Sequence, residues 1–559
     1  MKNWLKIHSV LLLIAVLTAC TQIMPTETPP TARPTVEPAE TPPTPSPTAE
    51  AAEIPTSPEK WWNETVFYEI FVRSFRDSDG DGIGDFNGIT EKLDYLQALG
   101  ITGLWLMPIN PSPSYHGYDV TDYYAANPDY GTMDDFKHLL EQAHERDIKI
   151  IIDFVLNHTS AKHPWFQAAL TPGSETYNYY VWRDTDPGTP GPWGAQAWYR
   201  ASNGQYYYAI FWDQMPDLNY NTPEVRENAK QITAFWLEDV GVDGFRLDAV
   251  RYLVEDQKIA DSDSNHSFLA EWGAYYRSLN PRAFTVGEAW TDNANVKPYI
   301  STDTELDAAF NFDLSDAILD ALNTSNNTLL RFVLQTTIRD FPDQDNANFI
   351  TNHDMNRVMS QFSANKEGKA KVAAAILLTA PGIPFMYYGE EIGMSGAKPD
   401  ELIRTPMQWS NDSGAGFSNG TPWEPINDDF PIVNVNAQAG DPTSLLEHYR
   451  ALIQLRNAHP ALQDGETYVA ESNSRKLVAY LRAGGDDVLL TLVNLDDQPI
   501  SNYTLDLSIG PLTGDYQVAS LLDNSAMAQV TANDKGGFKD YTPLPEIPAY
   551  GTFILQFTP

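Results

Sequence analysis

Lys149-Ile150-Ile151-Ile152-Asp153-Phe154-Val155-Leu156-Asn157-His158 passes from an apolar run into a cluster of polar residues. A run with little alternation suits a strand covered on both faces, as in a parallel sheet, better than one with a wet face. Comparable short runs recur at 66–72, 103–108, 244–248, 284–287, 309–312, 349–351 and 384–388, separated by stretches with helical spacing. Strand and helix in alternation make parallel βαβ units. Eight of them predict an α/β fold built on a (β/α)8 TIM barrel in preference to a doubly wound sheet.

On either side of this repeat the pattern changes. Residues 163–221 interrupt it after the third strand with an irregular stretch rich in Trp, Tyr, Pro and Gly, read as a small inserted domain over the barrel mouth. The barrel then divides into 59–162 and 222–463, the second part ending after a helical segment at 445–459. Alternating runs such as 477–481 and 488–493 make 464–559 a C-terminal antiparallel β-sandwich domain. A chain of 559 residues needs such a division, because single cores rarely exceed roughly 250–300 residues.

The N-terminus reads as an address and a tether. Lys2 and Lys6 precede an apolar run at 10–17 that is too short for a membrane span, followed by Leu17-Thr18-Ala19-Cys20. Residues 1–19 are expected to be a signal peptide. The ending resembles a bacterial lipobox, which implies cleavage before Cys20, lipidation of its thiol and anchoring at the cell surface; the alternative is an ordinary signal peptide with an incidental cysteine. Residues 20–58, with stretches such as Pro42-Pro43-Thr44-Pro45-Ser46-Pro47, offer almost nothing to bury. At about 3.1 Å per residue they make a stiff tether on the order of 100 Å long. Cys20 is the one cysteine, so intrachain disulfides and Cys-rich zinc sites are excluded. A formal charge of −39 argues against nucleic acid and anionic membrane surfaces as partners, leaving the lipid as the membrane contact.

In a TIM barrel, chemistry sits where strands end at the C-terminal face. Strand three ends in Asp153 to His158, strand four in Arg246-Leu247-Asp248, strand five in Gly287-Glu288 and strand seven in Asn352-His353-Asp354. A carboxylate at one strand end is commonly a cap or a structural ion pair. Polar clusters at four strand ends together point to one pocket.

At these residues the sequence resembles glycoside hydrolase family 13, the α-amylase family. The resemblance spans nearly everything after the tether and implies the barrel, the insertion after strand three and the C-terminal sandwich. It implies Asp248 as nucleophile, Glu288 as general acid/base and Asp354 as stabiliser of the sugar at the cleavage site. It further implies that Arg246 orients Asp248, that His158 and His353 hydrogen-bond the same sugar, and that Tyr118 in His116-Gly117-Tyr118-Asp119 stacks on it. Retaining glycosidases need one ionised and one protonated carboxyl about 5–5.5 Å apart. Arg246, on the same strand face as Asp248, favours the ionised form, and neighbouring carboxylates favour a protonated Glu288.

Asp77-Ser78-Asp79-Gly80-Asp81-Gly82-Ile83-Gly84-Asp85 alternates carboxylates with glycines and can surround Ca2+ with oxygens, the Ile83 carbonyl included. Gly88 at the twelfth position is not an EF-hand residue. Family members hold a structural calcium in such a loop, which implies Asp77, Asp79, Asp81, Ile83 and Asp85 as ligands; a metal-free polar turn is the alternative. A second, interdomain calcium of many α-amylases is in question, because Tyr252 stands where they carry a His, although Asn157 is present.

Subgroup markers conflict. Met215-Pro216-Asp217-Leu218-Asn219 resembles a marker intermediate between neopullulanase-like and oligo-1,6-glucosidase-like members. The run Arg404 to Trp409 and the triplet Gly416-Phe417-Ser418 resemble the oligo-1,6-glucosidase and trehalose synthase side. Exo-acting α-glucosidases generally carry an Asp where this chain has Tyr115, and α-1,6-acting members usually carry Val where it has Ala249. The expectation is an endo-acting α-amylase on α-1,4-glucans, with exo-acting α-glucosidase or oligo-1,6-glucosidase, trehalose-forming transglycosylase and non-catalytic surface glucan-binding lipoprotein as alternatives. The insertion aromatics Trp193, Trp198, Tyr206, Tyr207 and Trp212 are expected chiefly in that domain's own core.

Overall fold

The computed structural model describes residues 60–254, 260–301 and 304–559, all within one compact unit, Ser57–Pro559. The expected signal peptide 1–19, the lipidated Cys20 and the tether 20–58 lie outside the described residues.

Eight parallel strands close into the expected barrel. They are β1 (Phe67–Ile70), β2 (Gly103–Leu106), β3 (Lys149–Phe154), β4 (Gly244–Leu247), β5 (Phe284–Gly287), β6 (Ala308–Phe310), β7 (Asn346–Asn348) and β8 (Ile383–Tyr387). Each strand pairs with its sequence neighbours and β8 returns to β1, so that Phe67 lies opposite both Gly103 and Phe385.

The clearest departure from expectation is β7. An apolar strand was expected at 349–351, but the ladder runs through Asn346-Ala347-Asn348. Those amides pair with each other and with a neighbouring carbonyl: Asn346 Nδ2 donates to Asn348 Oδ1 and to the Pro381 carbonyl, and Asn348 Nδ2 donates to the same carbonyl. A strand whose polar groups pair internally leaves no apolar signature. Two other strands end early, because Val72 and Phe312 open helices (Val72–Phe75 and Phe312–Thr324).

Period-two alternation decides what fills the barrel. Phe67, Ile151, Phe284 and Phe385 belong to one buried interior cluster, with the Phe67 and Phe385 rings 4.4 Å apart and nearly parallel. Two residues beyond Phe67 and Ile151, on the same faces, stand Glu69 and Asp153, both buried. The barrel is therefore apolar at one end and ionic at the other. Gly244 lets β4 approach β5: its φ is +156°, and a Cβ there would lie 1.9 Å from the Phe284 carbonyl oxygen.

The insertion forms a three-stranded antiparallel sheet from Trp182–Arg183, Trp198–Arg200 and Tyr206–Tyr208. After the helix Leu445–Ala458, antiparallel sheets of six and three strands enclose a separate apolar cluster, as expected for the C-terminal domain. A buried arginine joins it to the barrel: Arg482 donates to the Thr379 carbonyl.

Candidate active site

Asp153 on β3 is registered directly across from Arg246 on β4, and Arg246 is 1% exposed. Its Nη1 donates to Asp153 Oδ1 (2.9 Å) and Oδ2 (3.1 Å) and to Asp248 Oδ1 (2.7 Å), while Nη2 lies 3.1 Å from Glu288 Oε2. One guanidinium therefore faces three carboxyl groups from three strands. The chain turns sharply after Asp248, with Ala249 in the left-handed region (φ 49°), and the Ala249 N–H donates to Glu288 Oε2 (3.1 Å). A β-branched residue is strongly disfavoured there, which gives Ala249 a local reason of its own.

Burial raises the Glu288 carboxyl to about 7; Arg246 pulls it down, and the charges of Asp248 and Asp354 push it back up. Glu288 is thus protonated in part at neutral pH, as expected from the sequence, but burial outranks the neighbouring carboxylates as the cause. Asp153 rises to about 6, again chiefly by burial, with Arg246 opposing.

His353 sits beneath the pocket. Its Nδ1 meets Glu69 Oε1 at 2.5 Å, and its Nε2 meets the Tyr118 hydroxyl at 2.7 Å and Asp354 Oδ2 at 3.2 Å. Burial pushes this imidazole down, yet the Asp354 and Glu69 carboxylates outweigh burial and lift it to about 10. Its ring nitrogens face Glu69, Tyr118 and Asp354, so the imidazole positions Tyr118 and Asp354 at the pocket. Asp354 is held well below the usual carboxylate range: burial opposes ionisation, but His353 and Arg404 outweigh it. Arg404 Nη2 donates to Asp354 Oδ1 at 2.9 Å.

His158 behaves differently. Burial depresses it to about 4, so the ring is neutral. Its Nδ1 lies 3.4 Å from Asn157 Nδ2, and its buried Nε2 has no hydrogen-bond partner among the described residues. With its proton on Nε2, the neutral ring would offer that N–H to a ligand.

These residues surround a cavity of about 640 Å³. Of the seven residues expected to act on substrate, Tyr118, His158, Asp248, Glu288 and Asp354 line it, while Arg246 and His353 lie below. Asp400, Arg404, Trp193, Trp212 and Trp290 also line it and were not assigned from the sequence. Trp193 and Trp212 are 60% and 45% exposed, whereas Trp198 and Tyr207 are in the insertion's core, as expected. Trp290 stacks on Phe312 at 4.8 Å and 14° and is half exposed. Glu69 and Asp153 were legible as polar residues at inward strand positions. The lining indoles and Arg404 come from loops, where no periodicity indicates which way a side chain points.

In the acidic loop, Asp77, Asp79 and Asp85 bring carboxylate oxygens within 4.8 Å of one another. Asp77 is buried and accepts N–H groups from Asp79, Gly80 and Gly82; Asp85 accepts from Ser78 and Gly88. Asp81 stands outside this group and accepts the Ile83 N–H (2.7 Å). Three hard oxygen donors drawn this close fit a divalent cation such as calcium. Tyr252 packs on Trp193 (5.6 Å) and Phe211 (6.2 Å), where the resemblance would place a metal-binding His.

The family described as "Alpha amylase, catalytic domain" matches residues 69–465. The chain is 41% identical to "Alpha-amylase 3" of Dictyoglomus thermophilum over 445 residues, 78% of this chain and 86% of that protein. It is 34% identical to "Probable oligo-1,6-glucosidase 2" of Bacillus subtilis over 515 residues, 78% of this chain and 91% of that one. The crystal structure of an α-amylase from H. orenii shares the fold with a TM-score of 0.76 and 39% identity, covering 88% of this chain and 99% of that one. Together with the closed barrel and its ionic C-terminal end, these matches show that the chain belongs to the α-amylase family, glycoside hydrolase family 13, and is a retaining glycosidase.

Proposed function

We propose that the protein is an endo-acting α-amylase that hydrolyses α-1,4 bonds of starch and maltooligosaccharides. Glu288 donates its proton to the glycosidic oxygen as Asp248 attacks the anomeric carbon, forming a covalent glycosyl-enzyme and releasing the leaving chain. Glu288, now ionised, takes a proton from water, and the resulting attack frees the sugar with its α configuration retained. Arg246 orients Asp248 through its 2.7 Å hydrogen bond, Asp354 and the His158 Nε2–H hold the sugar hydroxyls, and Tyr118 supplies a face for the ring.

The endo reading rests on Tyr115. It packs on Trp423 (5.3 Å) and is not among the residues lining the cavity, so no carboxylate at that position closes the donor end. The test is a product time course from starch and from maltotriose, using protein lacking the residues before Ser57, with Asp248→Asn alongside. A mixture of short α-maltooligosaccharides appearing early from starch is expected, and no turnover by Asp248→Asn. Glucose as the sole early product, with maltotriose preferred, overturns the endo reading, and an active Asp248→Asn overturns the nucleophile.

The same reading places Ca2+ in the acidic loop as a structural ion held by Asp77, Asp79 and Asp85, with Asp81 and the Ile83 carbonyl as the remaining expected ligands. Chelation should lower the melting temperature and added calcium restore it; a melt indifferent to both argues for a metal-free turn. Cys20 is the proposed lipid anchor to the cell surface, and Cys20→Ser should release the protein into the medium.

A further inference from the structure

Between the acidic loop and the pocket lies a set of contacts that the chemistry above leaves unused. Segment 417–423, which follows β8, is fastened to the loop. The Asp77 N–H and Arg76 Nη1 both donate to the Phe417 carbonyl (2.9 and 2.8 Å), Ser418 Oγ donates to Asp77 Oδ2 (2.5 Å), and the Trp423 N–H donates to the Gly82 carbonyl (2.9 Å). The two backbones touch: Gly82 has φ +97°, and a Cβ there would lie 1.9 Å from the Thr421 carbonyl oxygen. The segment is therefore placed by the loop.

At its end Trp423 reaches the donor side of the pocket by two routes. Its ring stacks on Tyr115 (5.3 Å, 25°), and the Arg404 guanidinium lies 5.9 Å from the other partner in that stack, the Tyr115 ring. Its indole N–H donates to Ser74 Oγ (3.0 Å), which in turn donates to the Arg404 carbonyl (2.5 Å). Arg404 then grips the strand-seven end, with Nε on the His353 carbonyl (3.0 Å) and Nη2 on Asp354 Oδ1 (2.9 Å).

We infer that Trp423 is a positioning residue for the reaction: anchored by the Asp77–Asp85 loop through segment 417–423, it fixes Arg404 and thereby the orientation of the Asp354 carboxylate in the pocket. The physical reason is that the stack fixes the Tyr115 ring against which the buried Arg404 guanidinium packs, while the Ser74 bond holds the Arg404 backbone carbonyl, so both ends of that residue have fixed neighbours. The acidic loop then has a consequence for turnover beyond holding the fold. This inference rests on Asp354 as a sugar-binding carboxylate. Failure of that assignment is read separately, as undiminished turnover by Asp354→Asn.

The test measures kcat and KM on maltopentaose, with melting temperatures, for Trp423→Ala, Trp423→Phe, Ser418→Ala and the Ser418→Ala/Trp423→Ala double variant. Trp423→Ala should lower kcat about tenfold with little change in KM, as expected when a group that tightens on the transition state is misplaced. Trp423→Phe, which keeps the stack, should recover most of the loss, and the double variant should be no slower than Trp423→Ala alone. An unchanged kcat, a loss that Phe does not rescue, or additive losses in the double variant overturn the inference. Should Trp423→Ala fail to fold, Tyr115→Ala removes the ring between Trp423 and Arg404 and carries the same expectation. The loop's hold on Trp423 is read without turnover: Ser418→Ala should change the tryptophan emission, and the change should vanish in a Trp423→Phe background. Identical emission overturns that link.

Discussion

Replacing Glu288 by Gln should abolish turnover and stabilise the protein, in a pH-dependent way whose size follows from the site. Burial lifts the carboxyl from 4.5 in an unfolded chain to about 7 in the folded one. The folded state therefore resists an ionisation that the unfolded state accepts freely. Below pH 4.5 both states hold the proton and the group costs nothing. Between 4.5 and 7 the cost grows by about 1.4 kcal/mol per pH unit, and above 7 it levels off near about 3 kcal/mol. Gln carries no such cost. At about 2 cal/mol/K per residue the compact unit unfolds with an entropy on the order of 1 kcal/mol/K, so the variant should melt about 3 °C above the wild type at pH 8.5. At pH 4.5 the two melts should coincide. Differential scanning calorimetry across this range is the assay. The same titration sets the wild-type alkaline limb: kcat/KM should fall tenfold per pH unit above about 7, as the acid of the free enzyme loses its proton. A melting difference that does not change with pH, or an alkaline limb below pH 5.5, refutes the reasoning that burial keeps Glu288 protonated.

Arg246→Met should cost about 3–5 kcal/mol of stability and nearly all activity, because it leaves Asp153, Asp248 and Glu288 facing one another without their shared cation; a variant that melts like wild type at pH 7 contradicts this. Trp290→Ala removes a half-exposed indole backed by Phe312 beside Glu288. It should raise KM for maltooligosaccharides about tenfold while altering kcat little, which initial rates on maltopentaose would reveal.

Seven of the eight apolar runs coincide with barrel strands, because strands covered on both faces leave a local signature of hydrophobic side chains. The same logic missed β7, whose stability comes from amides paired across the chain to Pro381. Asp248, Glu288, Asp354 and His158 stand out as polar residues at strand ends, which converge in a barrel whatever the loops do, whereas their roles, and Tyr118 in a loop beyond β2, were implied only by the family resemblance. The contacts of His353 to Glu69 and Tyr118 were not legible, since those partners lie 284 and 235 positions away in the chain.

What the sequence determined by itself is the set of short-range patterns: the strand and helix alternation, the polar strand ends and the acidic loop. What only the tertiary structure decided is which charges share a partner, which indoles face the cavity, and that segment 417–423 ties the acidic loop to Arg404. The physical reason is range. Strand formation and alternation are set by neighbours along the chain, whereas burial, ion pairing and ring stacking depend on groups hundreds of residues apart that meet only after the barrel has closed.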